Sequence, residues 1–405
     1  MNNNMTPVAR PMHAWLLLLC GCMSVLAAVV IAPVLPQMQE HFSATENVEF
    51  LVPMALTAPG LVIALLSMVV GIVADRTGRK NMLVAGLVLY AAFGVAPVFI
   101  ESLPTIIGTR IGVGLAEAII MTASVALIGD YYSGVQRERY LALNTTLSSS
   151  SAVIFIAIGG ALGEFGWRTP FMVYSISIVL ALWALVVLWE PKREAPQQLM
   201  ESLTDEEKAM WNPMKIAGIC AVTLVGGILF MAVQVHIGYL LHGVNITAPS
   251  TIGLLASLAQ VAVVVGSIAF RFLLNCRWFI TPVRLGTALS LIGIGYLLIG
   301  SAGTAAEMMV VGAMVTGLGG GMLLPTMMVW NMSNLPPHRR ALGTGAWMAA
   351  FFLGQFFTPM VVVGLQEMMG THAAAIGLIG QFVLPIAILL LIGQRVFRNK
   401  AVSLA

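Results

Sequence analysis

The sequence predicts an all-α polytopic membrane protein, with twelve transmembrane helices arranged as two pseudo-symmetric six-helix bundles. Three observations predict it. Of 405 residues, 59% are hydrophobic and only 9% are charged, with a mean hydropathy of +0.93. A globular chain carries about 45–50% apolar and about 25% charged residues, so there is too little charge here to coat soluble domains. Uncharged apolar stretches also recur between short polar breaks, at the spacing of one ~20-residue span plus a loop. Finally, once the spans are counted, eighteen of the twenty Lys and Arg residues fall on one side. The same composition excludes a disordered chain, a collagen-like repeat and a secreted disulfide scaffold. Cys20, Cys22, Cys220 and Cys276 lie in or beside apolar runs and read as small packing residues.

The expected spans are 14–37, 50–73, 81–100, 103–128, 141–164 and 168–189, followed by 214–241, 251–274, 283–301, 305–332, 340–367 and 372–396. The first has eleven spans behind it, so it reads as an uncleaved helix rather than a signal peptide. Most breaks are plain, as at Asp75-Arg76-Thr77-Gly78-Arg79-Lys80. The run from Ile216 to Phe270 carries no charge and is too long for one helix; the turn-forming stretch from His242 to Pro249 divides it. Hydrocarbon offers an open backbone no partner, and the ~10-residue alternating segments of a barrel are missing, so every span is a helix.

With the N-terminus inside, the basic residues sort by loop. Arg10, then Arg76, Arg79 and Lys80, then Arg137 and Arg139, then Lys192, Arg193, Lys208 and Lys215 lie on the cytoplasmic side. Arg271, Arg277, Arg284, Arg339, Arg340, Arg395, Arg398 and Lys400 complete that set. A wrong span count would scramble this alternation, so the positive-inside rule places both termini in the cytoplasm. The polar stretch 190–213 separates a first bundle, 1–189, from a second, 214–405. Within it, Thr204 and Glu207 resemble a capping box, which predicts a short surface helix from Asp205 to Trp211. The halves look related: Gly71 and Arg76 match Gly266 and Arg271, and Gly114-Leu115 matches Gly317-Leu318.

The loop after span 2 reads GIVADRTGRK at 71–80. Its Gly71, Asp75, Arg76, Gly78, Arg79 and Lys80 resemble the Gly-x-x-x-Asp-Arg-x-Gly-Arg-Lys signature of the major facilitator superfamily. Arg110 and Gly114 meet a second signature, Arg-x-x-x-Gly, in span 4. A third, Gly-x-x-x-Gly-Pro-x-x-Gly-Gly in span 5 of the twelve-span drug/proton antiporter branch, survives only as Gly159-Gly160. Ser151, Phe155 and Ile156 stand at its earlier Gly, Gly and Pro positions. The resemblance implies the major facilitator fold and a secondary transporter, with direction left open by the eroded third motif. It also implies that the charged loop holds a cytoplasmic gate shut in the outward-facing state. Chemistry agrees: Asp75 can accept from the amides opening span 11 near Leu342 to Gly345, where the helix dipole favours an anion. Arg76 or Arg79 can reach Asp130 at the end of span 4. The competing reading is a solvated basic loop.

Only Arg110 and Glu117 place charge well inside a span, at about 2.5–3.5 kcal/mol each on insertion scales. Seven residues span roughly 700° and about 10 Å, so both share one helix face, which must border a wet cavity. Glu117 is the expected protonation site and Arg110 its switchable counter-charge; a fixed ion pair, or Arg110 capped by backbone carbonyls, is the structural alternative. Gln234, Gln260, Asn331, Gln355 and Trp347 are candidate cavity residues; for the four amides a helix–helix hydrogen bond is the favoured structural reading, and for Trp347 lipid-facing or interfacial packing is the alternative.

No His-Glu-x-x-His, Gly-x-Ser-x-Gly, phosphate loop or Cys/His metal set occurs, so neither catalysis nor a metal or other cofactor is expected. The expected function is a proton-coupled secondary transporter of a small organic or amphipathic solute, working by alternating access in the bacterial inner membrane, with efflux favoured. The alternative is proton-linked uptake of a small organic anion held by Arg110; a non-transporting sensor or intramembrane enzyme is the remote one. The expected partners are the solute, protons and the bilayer, with no nucleic acid, and the chain is expected to be a monomer.

Overall fold

The computed structural model describes residues 9–191, 212–274, 276, 279–335 and 340–403. The described residues contain twelve helices long and apolar enough to cross a membrane. The first, α1 (Pro11–His41), is interrupted after Val29 by a 3-10 turn at Ala32–Val34. Pro33 and Pro36 cause the break, because neither has an N–H and each ring clashes with the carbonyl four residues back. Then come α2 (Val48–Thr77), α3 (Arg79–Val95), α4 (Leu103–Tyr131), α5 (Gly134–Gly163) and α6 (Ile176–Val187, entered through a 3-10 stretch at Thr169–Ser175). The second set is α7 (Pro213–His242), α8 (Pro249–Leu273), α9 (Thr281–Ser301), α10 (Ala306–Ser333), α11 (Arg340–Met369) and α12 (His372–Ser403).

The long apolar run does divide between His242 and Pro249, with Asn245 at positive φ in the turn. Two boundaries differ by seven residues: α12 ends at Ser403, not 396, and α5 starts at Gly134, not 141, so Arg137 and Arg139 ride on the helix rather than in a loop. Hydropathy locates hydrocarbon, and a helix that continues beyond it in polar residues leaves no apolar signal. The expected helix at Asp205–Trp211 lies outside the described residues.

The packing repeats with a period of six helices. In the first bundle α2, α3 and α1 pack on α4, α1 on α5 and α3 on α6; in the second, α8, α9 and α7 pack on α10, α7 on α11 and α9 on α12. Between bundles α5 meets α8 and α2 meets α11, the pairing a two-fold relation requires. Small residues set these approaches. Gly114 of α4 lies against the Pro59 backbone of α2, and its counterpart Gly317 of α10 lies against Ala259 of α8.

Call the end carrying residues 77–80 and 131–134 the basic end. At the opposite, far end the bundles touch. Gly160 and Gly163 pack on Pro249, and Gly238 on Ala32 and Pro36. Glu164 accepts a hydrogen bond from the Ser250 backbone N–H at 2.9 Å, and His242 Nε2 lies 3.2 Å from Glu40 Oε1. From Ser151 toward the far end, α5 has a buried face, whereas Gly134 to Thr146 are mostly exposed. Among the described residues the seam is closed at the far end, and α5 has no such buried face toward the basic end.

Candidate functional site

Between the bundles lies a cavity of about 350 Å³, bounded by α1, α2, α4 and α5 on one side and α7, α8, α10 and α11 on the other. Phe230, Met231, Val263, Leu324, Phe351 and Phe352 give it apolar walls; Asn144, Thr145, Ser148 and Ser149 carry it along α5 toward the basic end. Glu117 of α4 is its one ionisable lining residue among those described. The side chain is 4% exposed, and no hydrogen-bond or ion-pair partner reaches its carboxyl group among the described residues. The Gly114–Pro59 approach, one turn away, presses α4 onto α2 and holds Glu117 at the level where both helices border the cavity.

Arg110 shares the helix but not the cavity. Its guanidinium donates from Nη1 to the Tyr174 hydroxyl at 3.1 Å and from Nη2 to the carbonyls of Phe93 and Gly94 at 3.1 and 3.2 Å. The rings of Phe171 and Tyr174 each lie 5.0 Å from its central carbon. The sequence builds this cage locally. Pro97 has no N–H for the Phe93 carbonyl, so α3 gives way to a 3-10 turn at Ala96–Phe99 and that carbonyl is free to accept. Gly94 has no Cβ, which lets the Tyr174 ring close over the guanidinium. Arg110 thus binds α3, α4 and the entry to α6 together, the carbonyl-capped alternative, and no ion pair joins it to Glu117 among the described residues.

The other candidates divide. Gln234, Gln260 and Gln355 line the cavity. Asn331 does not: wholly buried, it donates to the Gly343 carbonyl at 3.2 Å and ties α10 to α11. Trp347 also stands behind the wall, stacked at 5.8 Å on Phe351, which does line it. A polar or aromatic residue in a span looks the same in sequence whether it faces a cavity or a neighbouring helix. Asn144 was not among the sequence candidates. It fits because Gly21 of α1 leaves room for its carbonyl oxygen, which is buried without a hydrogen-bond partner among the described residues.

At the basic end, Arg79 Nη1 meets Asp130 Oδ1 at 2.5 Å, as the motif predicts. The Lys80 ammonium donates to the Leu185 carbonyl at 2.9 Å. The side chains of Asp75 and Arg76 lie outside the described residues, and so does the expected bond from Asp75 to α11; Gly71 also carries no described surroundings. Sequence reasoning missed Glu190. Its carboxylate accepts the backbone N–H groups of Arg79 and Lys80 at 2.6 and 3.0 Å, capping α3 from more than a hundred residues away. Gly78, at φ +99°, makes the single-residue turn into α3 and leaves space for that carboxylate. Among the described residues, no group of three or more His, Cys, Asp or Glu can hold a metal ion.

A family model described as Major Facilitator Superfamily matches residues 17–359. The chain is 26% identical over 180 residues to the multidrug efflux protein YfmO of Bacillus subtilis (strain 168), covering 44% of each chain. It is 26% identical over 192 residues to the multidrug efflux pump LfrA of Mycolicibacterium smegmatis, covering 46% of this chain and 37% of that one. The matched stretch is under half the length of either relative. Among solved structures, a D-xylose-proton symporter superposes with a TM-score of 0.76 at 16% identity, covering 94% of this chain and 97% of the other. An inward-facing, unoccupied bacterial homologue of the human lysosomal transporter Spinster gives 0.74 at 15% identity, covering 94% and 95%.

Proposed function

Since the chain belongs to the Major Facilitator Superfamily, we propose that it is a proton-coupled secondary transporter that expels a small amphipathic solute by alternating access. One observation carries this reading: the cavity between the bundles holds one ionisable side chain, Glu117, and that carboxyl group has no protein partner among the described residues. An ionised carboxylate in an apolar cavity is costly until a proton, water or a cation compensates it. A proton arriving on one side and a cationic solute arriving on the other can therefore displace each other at the same oxygen atoms. Arg110 supports the exchange indirectly, by fixing α4 so that Glu117 stays at the cavity wall.

Efflux is favoured over uptake of an organic anion. That reading needs a cation in the cavity, and the guanidinium of Arg110 is already held by two carbonyls and a hydroxyl. The multidrug efflux relatives point the same way. We place the protein in the bacterial inner membrane as a monomer, with the basic end and both chain ends in the cytoplasm. On that orientation the closed far end makes this the inward-facing state, and the Arg79–Asp130 and Glu190 contacts belong to the cytoplasmic gate.

Flux in proteoliposomes under an imposed pH gradient tests the proposal, with amphipathic cations screened against organic anions. Protons should move opposite to the solute, and Glu117→Gln should abolish pH-driven flux, weaken binding of the cation and remove the pH dependence of what binding remains. Parallel movement of proton and solute, or wild-type pH dependence in that variant, would overturn it.

A further inference from the structure

We infer that the second bundle's side of the cavity selects a solute bearing a secondary carboxamide as well as a cationic end. This rests on the reading that Glu117 takes the cation. The wall from α7, α8 and α11 presents three carboxamides, Gln234, Gln260 and Gln355, the last two being 5% and 9% exposed. Gln260 Nε2 donates to Gln234 Oε1 at 3.0 Å, and Gln234 Nε2 donates to the Phe230 carbonyl at 3.3 Å. A carboxamide has two donor hydrogens and an acceptor oxygen with two lone pairs. The chain of bonds therefore leaves an N–H on Gln234, an N–H and the carbonyl of Gln260, and the whole amide of Gln355 unused among the described residues. The Phe230 carbonyl can only accept, which fixes Nε2 of Gln234 toward it and hence Nε2 of Gln260 toward Gln234 Oε1; the Gln355 amide alone of the three can be exchanged without losing a bond.

These groups sit among the side chains of Phe230, Met231, Val263, Leu324 and Phe351, which carry no strong hydrogen-bonding group. Water entering the cavity can satisfy them. A solute that expels the water without replacing its hydrogen bonds leaves buried polar groups unmatched, and such a mismatch discriminates more sharply than any apolar contact. Among the described lining residues the one ionisable group is Glu117, from the first bundle, so the second bundle's part in recognition is directional rather than ionic. A trans secondary amide holds its N–H and C=O on opposite edges. That suits two carboxamides on different helices, Gln260 of α8 and Gln355 of α11, better than one side chain acting alone.

Procainamide and procaine are suitable probes. They share the aromatic ring and the protonated diethylaminoethyl group, and differ in an amide N–H against an ester oxygen. Dissociation constants are measured on the purified full-length protein by titration calorimetry. The wild type should bind procainamide about tenfold more tightly than procaine, the effect of one matched hydrogen bond in a buried site. Whichever of Gln260→Leu and Gln355→Leu removes the acceptor of the amide N–H should bring the ratio close to one with procaine affinity nearly unchanged, and the other, which removes the donor to the carbonyl both probes share, should weaken both and keep the ratio. The ratio is read within one preparation, so a partly unfolded variant does not distort it. A wild-type ratio near one, a ratio kept in both leucine variants, or binding of neither amine overturns the inference. Proton release on binding, followed in weak buffer, separates the two readings. Amide preference without proton release removes the exchange at Glu117 alone; proton release without amide preference removes the amide wall alone.

Discussion

Gly160 of α5 and Gly253 of α8 meet backbone to backbone across the seam between the bundles. A methyl group on Gly160 would lie 2.8 Å from the Gly253 Cα and 2.5 Å from the Pro249 carbonyl oxygen. Both contacts are with backbone, which cannot turn aside as a flexible side chain does. The far end of the cavity is closed by two glycines that leave no spare volume.

Gly160→Leu should therefore hold that seam open. Overpacking costs about 1–3 kcal/mol, which shifts a two-state equilibrium by about tenfold or more. A cysteine placed at Ala28, on the cavity wall, should react with a membrane-impermeant maleimide from the far side about tenfold faster in the Leu background. Equal rates in both backgrounds would mean the glycine pair does not set the closure.

Arg110 should matter to the fold more than to the exchange. Arg110→Ala strands the carbonyls of Phe93 and Gly94, at about 1–3 kcal/mol for each buried acceptor left unpaired, and removes the contacts to Phe171 and Tyr174. Size-exclusion profiles after heating should show a large fall in melting temperature for Ala and a smaller one for Lys, which keeps the charge without the planar fork. Glu117→Gln should melt like the wild type. Wild-type stability of the Ala variant would refute the cage as a staple.

Removing Glu190 should loosen the start of α3. Losing a cap costs about 1 kcal/mol, so amide hydrogen exchange at residues 79–83 should speed up about fivefold in Glu190→Ala. Gly78→Ala should do the same by another route, since its φ of +99° strains any L side chain. Unchanged exchange in both variants would remove the cap from the gate.

The far-end clasp should respond to acid. Hydrogen bonds from the side chain and backbone of Ser250 hold the Glu164 carboxyl below the usual carboxylate range. A depressed value means the clasp is fully engaged above the ordinary carboxylate pKa and is lost as pH falls through the lowered one. Labelling of the cysteine at Ala28, taken relative to a free thiol at the same pH, should rise a few-fold over that interval. Glu164→Gln should flatten the rise by comparison; an identical acid response in that variant would exclude Glu164 as its source.

Much of this architecture was legible because its signals lie along the chain. Twelve spans stand out as apolar runs, and Glu117 stands out as an acid where burial is expensive. Other features depend on residues far apart. Glu190 reads as one more acid in a polar linker until α3 folds beneath it, and Asn331 reads like Gln260 until the helices are assembled. The cage around Arg110 lies between. Its aromatic lid at Phe171 and Tyr174 is some sixty residues away, but Pro97, four residues after Phe93, announces the free carbonyl locally. A proline four residues after a given position, on the helix preceding an embedded arginine, is a readable sign that the arginine will be taken up by the backbone.

A lone acid in the vestibule also bears on energetics. If one proton leaves as one singly charged solute enters, the swap carries no net charge, and the membrane potential does no work on it. Acidity alone then sets the limit: each pH unit of difference supports a tenfold ratio of solute, about 1.4 kcal/mol. A doubly charged solute would feel the voltage as well, at about 2.3 kcal/mol per 100 mV for the extra charge. Such a pump would stall in cells that hold a large potential but no pH difference.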